Sequence, residues 1–352
     1  MSPNEVRPID AQHAQHAQLA ATVQALFTHG KGLLAMDESS GTCNRRFASA
    51  GIPPTLDMRC AYRAWLLGTP ELGSCISGVI LCDETIHQAT AAGAPLVQLA
   101  RSAGLLVGIK VDTGAKALAA HPGDTVTEGL DGLRERLQAY AELGARFAKW
   151  RGVFSVHEAR LPSAACIAAN AHALARYAAL CQEAGLVPII EPEVLMVGAH
   201  TLARCQATTE AVLRSVFEQL VQQSVRLEAL VLKPNMVIAG LAAATQDTDD
   251  EVADATLQCL LRVVPAAVPG IAFLSGGQSG KLASSRLNAL HLRPRTPWPL
   301  TFSFARALQH PAMERWAGKE ANIRAAQQAL MHRARCNCTA LHGEYSPAME
   351  AR

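Results

Sequence analysis

The chain has 352 residues, 49% hydrophobic and 18% charged, which supplies enough apolar side chain to bury a large core. A formal charge of +2, with Lys and Arg scattered and no basic tract, excludes a positive field for nucleic acid or an anionic membrane. Any anion the protein binds is expected to be small and held locally.

The opening stretch MSPNEVRPIDAQHAQHAQLAATVQALF lacks the apolar centre of a signal peptide, and His and Gln interrupt its helical pattern. It is expected to form an N-terminal helical extension, with the cytoplasm as the expected location. Apolar, β-rich runs then recur at 32–39, 76–84, 105–112, 146–153, 186–194, 228–235, 270–277 and 300–306. Between them lie segments with apolar residues at three-to-four spacing, such as GLDGLRERLQAYAELG and EVADATLQCLLRVV, which predict amphipathic helices. Eight strands alternating with helices, with no linker or composition break, fit a parallel (β/α)8 TIM barrel, with an open doubly wound sheet as the alternative. One catalytic domain over 1–352 is expected, the barrel spanning about 30–335 and a short tail about 336–352.

The most apolar long stretch, SAACIAANAHALARYAAL, is interrupted by Asn170, His172 and Arg176 and does not read as a membrane span. The ten cysteines show no framework spacing. Cys336 and Cys338 are the one close pair, and without a second pair or a nearby histidine to complete a site they are read as reduced residues rather than zinc ligands.

In a TIM barrel the active site lies at the C-terminal strand ends. Here those ends carry Asp37, Lys110, the pair Lys149 and Arg151, the pair Glu191 and Glu193, and Lys233. Members of each pair are two residues apart, so both face the same way along a strand. Cations and carboxylates gathered at one mouth cost energy unless a ligand or a reaction uses them. After the seventh run, Ser275, Gly276 and Gly277 let backbone N–H groups approach an anion; after the eighth come Ser303 and Arg306. This is the usual phosphate position of the fold.

Lys233 follows the buried run Leu230, Val231 and Leu232 and is itself followed by Pro234. Near two further cations its ammonium form is expected to be disfavoured, leaving a free amine that attacks a ketone. The resulting iminium accepts the electron pair released when a neighbouring carbon–carbon bond breaks. Glu191 and Glu193 are candidates for the base that takes the leaving hydroxyl proton. No strand end presents His ligands, so neither metal nor cofactor is expected at the mouth.

The blocks GKGLLAMDESSG, GVILCDETIHQ, VGIKVDTG, TEGLDGLRERLQAY, FAKWR, VPIIEPE, LKPNMV, FLSGGQS and LTFSFARALQ resemble class I fructose-bisphosphate aldolase, in the same order and at similar spacing. The resemblance covers roughly residues 20–347. It implies reversible Schiff-base cleavage of fructose 1,6-bisphosphate to dihydroxyacetone phosphate and glyceraldehyde 3-phosphate, in glycolysis and gluconeogenesis. By that resemblance Lys233 is the Schiff-base lysine, Glu191 the acid/base carboxylate, and Asp37, Lys149 and Glu193 the groups that hold and tune them. Ser275, Gly276, Gly277, Ser303, Ala305 and Arg306 correspond to one phosphate site, and Lys110, Ser39 and Thr42 to the other. Arg46, Arg59 and Arg151 correspond to further substrate contacts. No cofactor is implied, and the assembly implied is a homotetramer.

The sequence departs from the family in three places. Phe304 and Ala305 stand for Tyr-Gly, Gly280 and Lys281 replace an acidic run, and the sequence ends at GEYSPAMEAR where the animal enzymes carry a longer tail with a terminal tyrosine. Schiff-base action on a monophosphate such as fructose 1-phosphate, a transaldolase activity, and a binding role on a barrel without turnover share parts of this pattern.

Overall fold

The computed structural model of the chain describes residues 9–28, 30–157 and 162–351. Of the expected N-terminal extension, residues 1–8 lie outside the described residues, as does Arg352 of the tail.

The strands are β1 (Gly32–Ala35), β2 (Ile76–Leu81), β3 (Leu106–Lys110), β4 (Gly114–Ala117), β5 (Thr125–Glu128), β6 (Phe147–Phe154), β7 (Val187–Val194), β8 (Val231–Leu232), β9 (Ile271–Phe273) and β10 (Leu300–Phe304). All except β4 and β5 close into one parallel barrel in the order β1-β10-β9-β8-β7-β6-β3-β2. Each barrel strand matches one of the expected apolar runs, because a strand covered on both faces must be apolar on both. β2 and β7 are buried at every position.

Alternation along the strands sorts the barrel interior into two levels. At the lower level Leu33, Ala35, Ile80, Phe147, Val187, Ile189, Val231 and Ala272 form one apolar cluster with Leu19, Val23 and Leu26 of the helix Ile9–Leu26. That helix therefore closes the end where the strands begin, and Ser77 at the start of β2 ties it down by donating to the Leu26 carbonyl at 2.7 Å. One interior position must be glycine: a Cβ on Gly108 of β3 would lie 2.0 Å from the Phe147 ring. Farther along the same inward faces the residues turn charged, from Phe147 to Lys149 and Arg151 and from Ile189 to Glu191 and Glu193. The charged groups thus stand on an apolar floor.

The outward faces pack on the helices in a second, larger cluster. Trp150, for example, meets Tyr177 of the helix Ala164–Glu183 with ring centroids 5.5 Å apart. Among the described residues no helix is long and apolar enough to cross a membrane.

Three differences from the sequence expectation have physical reasons. Most strands are shorter than their runs: β1 stops at Ala35, β9 spans only Ile271–Phe273, and Leu227–Ala229 form a 3-10 turn that leaves only Val231 and Leu232 paired in β8. The antiparallel hairpin of β4 and β5 was not expected, since its first strand is largely exposed and carries no apolar run. The helix Ile323–Ala340 runs across the expected 335/336 boundary, so the tail begins near Leu341.

Candidate active site

Lys149 and Lys233 are nearly enclosed, and both reach the same carboxylate. Lys149 Nζ lies 2.7 Å from Asp37 Oδ2 and 2.9 Å from Glu191 Oε2, while Lys233 Nζ lies 3.0 Å from Glu191 Oε1. Two buried lysines and two buried carboxylates alternate in space, Asp37–Lys149–Glu191–Lys233, so each charge has an opposite neighbour. The expectation of cations crowding Lys233 is corrected here: its nearest charged neighbour is the Glu191 carboxylate.

Burial favours the neutral form of Asp37, Lys149 and Glu191. For Glu191 burial alone would raise the pKa, but Lys149, Lys233 and Arg151 outweigh it and hold the carboxyl below its ordinary value. Asp37 follows the same logic, with Lys149 and Lys233 overcoming its burial. Lys149 is the mirror case: burial would lower it, and Asp37 and Glu191 hold it well above the usual lysine range. Lys149 is therefore a fixed cation at neutral pH, and Glu191 a fixed anion.

Strand register explains the pairing. Lys149 lies beside Ile189 and Arg151 beside Glu191 in the ladder, yet each cation pairs with the carboxylate two residues beyond its ladder neighbour: Lys149 with Glu191, Arg151 with Glu193. Strand tilt in a closed barrel offsets inward side chains in this way.

A cavity of about 540 Å³ opens above this cluster. All but two of the residues singled out from the sequence line it. On one side stand Ser275, Gly276, Ser303, Ala305 and Arg306. Gly276 sits at φ 55°, where a side chain is disfavoured, and a Cβ there would lie 2.4 Å from the Met196 sulfur. Arg306 holds that loop by donating to the Gly276 carbonyl at 3.0 Å. The Ser303 hydroxyl is buried with no hydrogen-bond partner, a donor left open on the cavity wall.

On the other side stand Ser39, Thr42, Arg46 and Lys110. Ser39 caps the helix Ser40–Ser49, its hydroxyl accepting from the Thr42 N–H at 3.3 Å. Arg46 pairs with Glu38, and its Nη2 is buried without a partner. Lys110 Nζ is 2.6 Å from Asp112 Oδ1.

The two exceptions are Arg59 and Gly277. Arg59 is buried and engaged elsewhere, 2.6 Å from Glu84 with Asn44 accepting from it at 2.9 Å. Gly277 faces the far side of its loop, where it lines a different cavity. Asp112 was missed from the sequence although it stands two residues after Lys110, on the same face. Besides Lys110 it accepts from the backbone N–H of Arg151 at 3.2 Å and of Gly114 at 3.1 Å.

Comparison with known proteins decides the family. A family model described as fructose-bisphosphate aldolase class-I matches residues 18–352. The chain belongs to the class I fructose-bisphosphate aldolase family.

Consistent with this, it is 51% identical over 329 residues to a probable class 1 fructose-bisphosphate aldolase of Xanthomonas axonopodis pv. citri, covering 93% of this chain and 98% of that one. It is 47% identical to the cytosolic fructose-bisphosphate aldolase 6 of Arabidopsis thaliana, over 93% of this chain and 91% of that one. A crystallised fructose-bisphosphate aldolase from Plasmodium falciparum, in complex with TRAP and a small-molecule inhibitor, superposes with a TM-score of 0.93 at 42% identity, over 98% of this chain and 99% of that one. As a class I aldolase this protein is a carbon–carbon lyase acting on a sugar phosphate. Its reaction is the cleavage of fructose 1,6-bisphosphate in glycolysis, and its chemistry is that of a Schiff base.

Proposed function

We propose that Lys233 is the nucleophile of this aldolase and Glu191 its proton-transfer group. The observation that supports this most is the contact of 3.0 Å between them, on the floor of a cavity with separate anion-binding groups on two sides.

In the proposed sequence the Lys233 amine adds to the ketone carbon of the open-chain substrate to give a carbinolamine, whose hydroxyl takes up a proton and leaves as water, giving an iminium. Glu191, ionised, takes the proton from the hydroxyl on the carbon that becomes the aldehyde. The bond between the two halves breaks, its electron pair moves into the iminium to give an enamine, and glyceraldehyde 3-phosphate departs. Protonation of the enamine and hydrolysis then free dihydroxyacetone phosphate and the lysine. Lys149, held as a cation by Asp37 and Glu191, stabilises negative charge on the substrate oxygens through this sequence. Arg151 and Glu193 fix each other beside it.

Ser275, Gly276, Ser303, Ala305 and Arg306 would hold one phosphate and Ser39, Thr42 and Lys110 the other, with Arg46 beside them. Gly277 shapes the first site from behind. The same reading places one catalytic domain over the whole chain, in a homotetramer in the cytoplasm, without nucleic-acid or membrane partners.

The test is a comparison of fructose 1,6-bisphosphate with fructose 1-phosphate. Losing one phosphate forfeits charge-assisted hydrogen bonds of about 1.5–3 kcal/mol, so kcat/KM is expected to fall at least about tenfold. Equal values would contradict the two-site reading and favour a monophosphate enzyme.

A further inference from the structure

The cysteine pair that stands out in the sequence, Cys336 and Cys338, is two residues apart on a helix, and such positions do not share a face. Cys336 and His332 are four apart and do. In the helix Ile323–Ala340 they point the same way, with His332 Nε2 3.7 Å from Cys336 Sγ. The turn Pro347–Ala351 brings a third group to them: Glu350 Oε2 lies 3.9 Å from His332 Nε2. One ligand atom from each residue falls within 4.8 Å of the others.

We propose that His332, Cys336 and Glu350 form a binding site for a zinc-like divalent cation, separate from the active site. The spacing fits the ion. Zinc bonds of about 2.3 Å to sulfur and about 2.0–2.2 Å to nitrogen and oxygen, set tetrahedrally, place the ligand atoms about 3.4–3.6 Å apart. The two separations at His332 need to close by about half an ångström or less, and the Cys336–Glu350 separation, which lies within 4.8 Å, by at most about 1.2 Å. Thiolate, imidazole and carboxylate are together a donor set suited to zinc and unsuited to magnesium or calcium.

The surroundings orient the ligands. Glu350 divides its two oxygens: Oε1 accepts from the Tyr345 hydroxyl at 2.8 Å and pairs with Arg333, which leaves Oε2 turned toward His332. Outer hydrogen bonds of this kind fix a ligating carboxylate and are part of a working metal site. Cys336 is fully buried and His332 half-buried, so the sulfur is shielded while the ring can be reached. Three protein ligands leave a fourth position. His332, Arg333 and Glu350 line a cavity of about 1020 Å³, which gives water or an anionic ligand access to it. Bound metal would clip the turn Pro347–Ala351 onto the last helix.

Cobalt(II) is the probe, because a cobalt–thiolate bond absorbs in the near ultraviolet and zinc displaces it silently. Chelator-stripped wild-type protein, titrated with cobalt chloride, is expected to take up one equivalent with a thiolate charge-transfer band that zinc bleaches. Cys336→Ser abolishes the band, and Cys338→Ser retains it. His332→Gln and Glu350→Gln weaken binding at least about tenfold, the lower end of what losing even an orienting outer partner costs. Absence of cobalt uptake by the wild type, or a band unchanged in Cys336→Ser or in both His332→Gln and Glu350→Gln, overturns the proposal. Circular dichroism and aldol cleavage measured on each variant identify any that is misfolded; if Cys336→Ser is, the other two decide.

Discussion

Glu191 and Lys233 face each other at 3.0 Å on the floor of the barrel mouth, and the other oxygen of Glu191 lies 2.9 Å from Lys149. One carboxylate thus bridges a fixed cation and the proposed nucleophile. It is ionised, and so has a site open for a proton, because Lys149, Lys233 and Arg151 overcome the effect of its burial. Glu191→Gln keeps the shape and removes the base, so kcat is expected to fall by about 10²–10⁴ with a smaller change in KM. A kcat near wild type would move the proton-transfer role to another group.

The same charges set a pH dependence. Glu191 is held below its ordinary pKa in the free enzyme, so the acid limb of the kcat/KM profile is expected below the usual glutamate range. Lys149→Met removes the strongest opposing charge and leaves burial, so that limb is expected to move to higher pH as residual activity is followed. An unmoved limb would show that another group controls it.

Arg59 separates a structural role from a binding role. It grips Glu84 at 2.6 Å, and with Arg63 it pulls that carboxyl from 4.5 down to about 2 despite burial. A folded-state pKa lowered in this way adds stability that is present above the unfolded value and is lost as pH falls from about 4.5 through about 2. Arg59→Ala leaves polar groups unsatisfied and is expected to cost about 1–3 kcal/mol in denaturant unfolding at neutral pH. It should also flatten the acid dependence while KM stays near wild type. A large rise in KM with unchanged stability would return Arg59 to the substrate.

Arg306 lines the cavity and steadies the Gly276 carbonyl at 3.0 Å. Arg306→Ala is expected mainly to raise KM, by about one to two decades, the equivalent of about 1.5–3 kcal/mol. Steady-state kinetics in which neither KM nor kcat changes would show that the guanidinium is not a phosphate contact.

The strands were legible because a barrel strand buried on both faces is an apolar run whatever its partners. Their charged ends were legible because Lys149 and Arg151, like Glu191 and Glu193, keep the two-residue alternation of the strand. Which cation meets which carboxylate was not legible. That depends on the tilt that pairs Lys149 with Glu191 rather than with its ladder neighbour Ile189, a property of closure that no single strand carries. The hairpin of β4 and β5 escaped notice because turn residues and exposed small side chains, not an apolar run, define it. His332 was not legible beside Cys336 because their relation is a helical spacing of four, whereas Cys336 and Cys338 stand two residues apart.

The central claim is that Lys233, and not the other lysines at the mouth, forms the covalent intermediate. Lys233→Arg keeps the charge but removes an amine that can be deprotonated, so turnover is expected to vanish, while Lys149→Arg retains part of it. The direct measurement is borohydride reduction in the presence of dihydroxyacetone phosphate, followed by peptide mass mapping. The account predicts a substrate-derived mass on the peptide containing Lys233 in the wild type and none on that peptide in the arginine variant. An adduct on Lys149 or Lys110, with the Lys233 peptide unmodified, would contradict it.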